Sequence, residues 1–467
     1  MTGLRITVCL GLIMWTTLPS SAQSAPPSAP VTSAPSASVS AQGPAAPDAP
    51  VYATTPTPEA STTDGMSAPD TRPLSGAQPF TIGISGKKQM MISLHASQLW
   101  DSNPSVASNT GANFAGVTGG GGSLSLQRQL QNSQTELSYS GDVLHYSTSQ
   151  PSISTFQNLN FSQNFNFGRW GLGIADTFTY VPNSLLGGGY MLPIPDLNPT
   201  VIKSNFIPDQ SILNPYGAQY TNTVMGQLEY GLSRRATWTA SGTYGFVKFQ
   251  DFGLYDFNQV SGTTGYNYSV TAKDTIAVTY LYSLYRYQNF NSEFHSQAVQ
   301  FSYGRKITGR MAFQAAGGPQ FVSSGGLTAA ANRLAYSGNA SFSYQRARTS
   351  FALGYSTGTT AGAGVLFGAT TSTAQFTASR SLTKTFSGEG VFGYSRSNDL
   401  SNTSLVYQSL FAGANVHRNL GRYAGLSFRY NYQRQISDNC TGLVCGDVNR
   451  NIAGVSFDWS FRPIRLE

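Results

Sequence analysis

The chain has 467 residues and a formal charge of +7, yet only 10% of its residues are charged, while Gly (49), Tyr (25) and Phe (27) are abundant. Soluble domains carry roughly 25% charged residues; a mean hydropathy of −0.19, with no long apolar run beyond the amino-terminal leader, excludes a helical membrane protein. Few charges with many aromatics and uncharged polar residues suit a wall with lipid on one side and water on the other.

In chain order, the first segment reads as a signal peptide over 1–22: Arg5, an apolar core from Ile6 to Leu18, then Ser20-Ser21-Ala22 with cleavage before Gln23. Cys9 lies inside that core and leaves with the leader. Residues 23–78 are Pro, Ala, Ser and Thr with few large apolar side chains. Such a segment buries too little surface to offset its ordering entropy, so a disordered periplasmic linker is expected, either a tether or a contact with the cell wall or a partner.

From Pro79 onward the texture changes to stretches of about ten alternating residues separated by turn signals. Ile92, Leu94 and Ala96 begin the pattern; Leu124, Leu126 and Leu130 resume it after Gly119–Gly122, read as a glycine-rich loop. In Thr275–Gln288, Ile276, Val278, Tyr280, Tyr282 and Leu284 share one face. In Arg333–Gln345, Leu334, Tyr336, Ala340, Phe342 and Tyr344 oppose Ser337, Asn339, Ser341, Ser343 and Gln345. In Arg422–Ile436, Leu426, Phe428, Tyr430 and Tyr432 oppose Ser427, Arg429, Asn431 and Gln433.

Alternation alone also fits a soluble sandwich, so the connections decide. Short ones fall near Gln131, Arg169, Arg234, Lys273, Lys306, Ala347, Thr383 and Asn419. Longer ones lie between them, near residues 100–122, 147–154, 182–217, 250–258, 289–294, 323–332, 358–366, 397–402 and 437–448. That rhythm predicts an all-β transmembrane antiparallel barrel over 79–467, with about 18 strands, or 16 if a weak one fails, and both chain ends in the periplasm. Bases cluster at the short turns, among them Arg128, Arg169, Arg234, Arg235, Lys273, Arg418 and Arg422, whereas acids concentrate in the long loops. One rim is therefore basic, either to meet lipid phosphates or to funnel an acidic cargo, and nucleic acid is not the expected partner.

Cys440 and Cys445 bracket Thr-Gly-Leu-Val in the last long loop, where an oxidising compartment permits a local disulfide. A metal site there lacks nearby His, and no cofactor or metal is expected. His95 beside Ser97 and His295 beside Ser296 are the local His–Ser pairings, and neither forms a recognisable catalytic motif, so an enzyme is not expected.

The last strand, Asn449–Phe461, sets Ala453, Val455, Phe457, Trp459 and Phe461 against Arg450, Gly454, Ser456, Asp458 and Ser460. In a chain with a secretory leader this resembles the closing strand of a bacterial outer-membrane β-barrel, porin-like and possibly of the polysaccharide-secretion type. The chain departs from that signal in continuing through Pro463 to Glu467, with the strand expected to end at Pro463. The resemblance implies that this strand pairs with the first, that the barrel-assembly machinery reads its aromatic end, and that outer-membrane lipid surrounds the wall.

It also implies a channel. A barrel of this size leaves an aqueous lumen, and no plug precedes the first strand. In porins the loop at the place of 182–217 folds inward, which makes Gly187, Gly188, Gly189, Tyr190, Asp196, Lys203 and Asp209 the candidate constriction, with an external cap as the other reading. Alternation puts Glu229, Asn339, Gln345, Arg429, Asn431 and Asp458 on the lumen side. Neutral hydrogen-bonding groups with aromatics suit sugars, so the expected cargo is a polysaccharide or oligosaccharide, with export through a periplasmic partner as one possibility. An adhesin or anchor built on a closed barrel is the alternative.

Overall fold

The computed structural model describes residues 88–104, 114–147, 153–181, 212, 218–250, 254–288, 292–325, 332–400, 405–438 and 446–465. The leader, the linker, nearly all of 182–217 and the pair Cys440 and Cys445 lie outside these residues.

Among the described residues every regular element is a strand. In chain order they are β1 (Lys88–Asp101), β2 (Ala115–Gln129), β3 (Ser133–Tyr146), β4 (Ile153–Phe167), β5 (Trp170–Val181), β6 (Gln219–Gly231), β7 (Ala236–Phe249), β8 (Phe257–Ser269) and β9 (Asp274–Tyr287). The second half comprises β10 (Ser292–Thr308), β11 (Met311–Gly325), β12 (Arg333–Arg346), β13 (Thr349–Thr360), β14 (Ala369–Ser381), β15 (Phe386–Asp399), β16 (Val406–Asn419), β17 (Ala424–Asp438), β18 (Val448–Ser460) and the short β19 (Ile464–Arg465). Each long strand pairs antiparallel with the next, and β1 pairs with β18 from Ser93↔Ser460 to Asp101↔Ile452, so 18 long strands close into a barrel. Closure removes the sheet edge, which in lipid would leave backbone groups unsatisfied. Pairing breaks at Pro463, as its missing N–H requires, but resumes beyond it: β19 joins β1 at Gln89↔Arg465 and Met90↔Ile464.

The residue alternation decides which face is which. Outward positions are apolar and exposed, as with Ile276, Val278 and Tyr280 on β9 or Phe428 and Tyr430 on β17, while Thr275 and Thr279, or Ser427 and Gln433, turn inward and are buried. Rings gather outward near both ends of the wall, with Trp170 against Tyr230 at a centroid distance of 4.3 Å at one end and Tyr180 against Tyr220 at 4.7 Å at the other. This is an apolar band with aromatic girdles, the outer surface of a lipid-embedded barrel. Inward hydroxyls pair across strands, as Ser350 with Ser379 at 2.6 Å and Thr371 with Ser397 at 3.1 Å.

The short turns share local chemistry. In Leu232–Arg235, Val270–Lys273 and Leu382–Thr385 the second residue is Ser or Thr, and its hydroxyl accepts backbone N–H groups two and three residues on. Thr271 Oγ1 takes those of Lys273 (3.0 Å) and Asp274 (2.9 Å), and Ser233 and Thr383 repeat the arrangement. Such side-chain acceptors satisfy amides that a tight turn leaves unpaired.

Two connections differ from the sequence reading. The turn placed at Lys306 is Gly309–Arg310, because β10 runs on to Thr308 through a bulge. Gly119–Gly122 is not a loop but the middle of β2, so the long connection ends at Phe114 rather than near 122. The reason lies in the neighbours. A Cβ on Gly121 would stand 2.3 Å from Asp142 Oδ1 and 2.9 Å from His95 Cε1, and one on Gly119 would meet Ser97 Oγ at 2.6 Å and Leu144 Cδ2 at 2.8 Å. Glycine keeps the strand's inner face bare, so His95 on β1 reaches over β2 to pair with Asp142 on β3.

Candidate functional site: a segment folded into the barrel mouth

At the long-loop end the connection between β13 and β14, Ala361–Gly368 (AGAGVLFG), folds inward across the interior. It makes a tight turn on itself, with Val365 and Leu366 donating their N–H groups to the Gly362 carbonyl at 3.0 and 2.9 Å. Gly362, Ala363, Gly364 and Gly368 all take left-handed backbone angles, φ between 57° and 86°. Gly364 also lies so close to the Phe249 ring that a Cβ would fall 2.3 Å from it, so both conformation and contact require glycine there.

The opposite wall holds the segment by hydrogen bonds and rings. Tyr287 donates its hydroxyl to the Ala361 carbonyl (2.9 Å), Tyr285 donates to that of Thr359 (3.2 Å), and the Tyr255 amide donates to the Gly364 carbonyl (2.8 Å). The Tyr255 ring stacks on Phe367 at 3.9 Å, and Tyr287 meets Phe367 edge-on at 5.3 Å. Burial pushes the Tyr255 hydroxyl above the usual phenol range, and the Asp399 carboxylate adds to the shift, so it is protonated at neutral pH. Val247, Phe257, Phe294, Val322 and Leu400 complete this apolar cluster, while Ala363 and Leu366 pack with Ala369, Tyr407 and Ile212 in a second. The segment thus ties β7–β11 to β14–β16 as a chord through the interior.

Ile212 is fully buried, the one described residue of 182–217 between β5 and β6. Ile212 packs in the same cluster as Ala363 and Leu366. Gly187, Gly188, Gly189, Tyr190, Asp196, Lys203 and Asp209, the expected constriction, lie outside the described residues. The segment that crosses the mouth lies within 358–366 and its flank, which in the sequence is one more long connection. Its composition held the signal: Ala-Gly-Ala-Gly-Val-Leu-Phe-Gly has no polar side chain, and a loop in water has no reason to be wholly apolar.

Below the segment the inner wall is polar. Glu229, Asn339, Gln345, Arg429, Asn431 and Asp458 all fall on the inward alternation of β6, β12, β17 and β18. Asp458 accepts from Ser427 Oγ at 3.4 Å, Ser427 is bonded to His417 Nδ1 at 2.9 Å, and His417 Nε2 meets Asn419 Oδ1 at 2.9 Å. Glu229 and the β12 pair stand far round the wall. Across the closing seam, His95 lies opposite Asp458 on one side and Gly121 on the other. Nearer the mouth, Arg450 and Asp101 are fully buried, the Arg450 Nη2 donating to Asp101 Oδ2 at 2.7 Å and Nε to Oδ1 at 3.1 Å. The sequence reading passed over both pairs, since partners some 350 and 47 residues apart leave no local pattern.

A closed antiparallel barrel with an apolar outer face, a polar inner wall and an inward-folded segment at one mouth is the architecture of a membrane-spanning β-barrel. No family model matches the chain, and no curated protein matches it. Among solved structures it is similar to OccK2 (OpdF) of Pseudomonas aeruginosa, with TM-score 0.42 and 11% identity over 80% of this chain and 98% of that one. OccAB4 of Acinetobacter baumannii gives TM-score 0.43 and 8% identity over 81% and 98%, and the outer-membrane protein OpdK of P. aeruginosa 0.41 and 9% over 80% and 99%.

Proposed function

We propose that the chain is an outer-membrane channel for hydrophilic solutes whose bore is set by Ala361–Gly368. The observation that carries this reading is the combination of a wall polar inside with an apolar segment held across its mouth by hydrogen bonds from Tyr287 and Tyr255. Water and solute have a hydrogen-bonding path, and the segment limits its width. The rows of inward Ser, Thr, Asn and Gln make carbohydrate a suitable cargo, with hydroxyl-for-hydroxyl exchange along the wall and rings at the mouth for sugar faces. The first strand begins and the last ends at the short-turn end, which in this reading is periplasmic, where the assembly machinery and any export partner would meet them.

Single-channel conductance of the refolded full chain in planar bilayers tests this, beside a variant with Gly362–Phe367 replaced by a short Gly-Ser link. Discrete steps in the parent that grow in the variant are expected. The apolar packing of the segment also favours a second reading, a shut barrel that anchors or adheres; folded protein with no conductance in either form would select it.

A further inference from the structure

The charge of the wall is sorted by face. Near the short-turn end, Arg128, Arg305, Arg346, Arg380 and Arg418 stand within four residues of their strand ends, all outward and exposed. At the same level, equally close to strand ends, Glu136 on β3, Glu229 on β6, Glu389 on β15 and Asp458 on β18 point inward. Asp142 and Asp399 continue the inward acids toward the other mouth. The inward bases are fewer: Arg429 beside Glu389, Arg450 bound to Asp101, and Lys306 and Arg333 at strand ends. Among the described residues the basic excess therefore belongs to the outer rim and turns, and the inner wall is acidic. An independent feature points the same way. Asp142, 3% exposed, has an Oδ2 with no hydrogen-bond partner among the described residues, and Ser97 Oγ, two residues along β1 from His95, has none either. A buried carboxylate oxygen left unpaired on an inner wall is an acceptor waiting for a donor.

Resting on the channel reading, we propose that the lumen selects cations over anions, taking small hydrophilic solutes that carry an ammonium or similar positive group. Rings of carboxylates lower the energy of a cation and raise that of an anion inside a low-dielectric wall, where screening is weaker than in bulk. The rim arginines do not oppose this, because they face lipid phosphates on the far side of the sheet. An acidic polymer, by contrast, meets its own charge along the bore.

The experiment is the reversal potential of the full-length refolded barrel across a potassium chloride gradient, repeated with tetramethylammonium chloride, for the parent, for Glu136→Gln/Glu229→Gln/Glu389→Gln, and for Arg429→Gln. The parent is expected to show a potassium-to-chloride permeability ratio clearly above one, the triple variant a ratio that falls toward one, and Arg429→Gln a ratio above the parent's. Arg429→Gln keeps the test open if the triple variant does not fold. Conductance with a ratio at or below one in the parent overturns the proposal while leaving the channel intact; no conductance from folded protein overturns the channel reading and the selectivity with it.

Discussion

Arg450 and Asp101 illustrate what a single buried residue does in this wall. Both side chains are fully buried where the first and last long strands meet, and the Asn103 amide adds a bond of 2.9 Å to Asp101 Oδ1. Removing one partner of a buried pair strands the other charge, at a cost of about 3–5 kcal/mol, whereas replacing both by apolar groups of similar size is close to neutral. Arg450→Met is expected to lower the urea midpoint of the barrel, and Asp101→Leu added to it to restore most of the loss, read by tryptophan fluorescence or by heat-modifiable gel mobility. At Gly121 the constraint is space rather than charge. A Gly121→Val side chain would separate His95 from Asp142 and cost about 1–3 kcal/mol of overpacking in the same assay.

At the scale of the element, the segment Ala361–Gly368 is held in a backbone shape that most side chains resist. A non-glycine residue in the left-handed region costs about 1–2 kcal/mol before any contact is counted. Gly364→Val adds a collision with Phe249 to that strain, so the segment is expected to leave its seat, and single-channel conductance to rise while the strands stay folded by circular dichroism. The short turns are ruled by a simpler device. Thr271→Ala and Thr383→Ala each remove the hydroxyl acceptor of two backbone N–H groups at exposed positions, for an expected loss of about 1 kcal/mol apiece in unfolding free energy, read as a lower urea midpoint, and no change in conductance.

For the whole molecule, the outer band carries, among the described residues, one charged side chain near mid-wall. Asp176 on β5 points outward among Ile174, Phe178 and Val224, and takes a hydrogen bond from Asn222 Nδ2 at 2.8 Å. A carboxylate on the lipid face of a barrel is unfavourable to a degree that depends on depth. Asp176→Leu is accordingly expected to stabilise the barrel in lipid vesicles by on the order of 1 kcal/mol, with no gain in a polar detergent micelle interface; equal stability in vesicles would place Asp176 at headgroup level or against a protein neighbour.

How much of this the chain announces depends on range. Period-two alternation is local, because each residue's side is fixed by its predecessor, and so the 18 long strands, the outward Phe457 and Trp459 and the inward Asp458 were legible in order. The turns were legible for the same reason, since Ser233, Thr271 and Thr383 act on amides two or three residues away. Gly119–Gly122 misled because glycine signals a loop only when nothing packs on it, and what packs on it here, His95 with Asp142, comes from two other strands. The sequence by itself determined the barrel and its two faces and put the strand count at about 18, with 16 left open until closure was seen. Only the tertiary structure decided that Ala361–Gly368 is what crosses the mouth, that Asp101 and Arg450 lock the seam, and that most of the strand bases point outward while most of the strand acids point inward. Those depend on closure, which brings residues hundreds of positions apart to one wall and gives each side chain an inside and an outside.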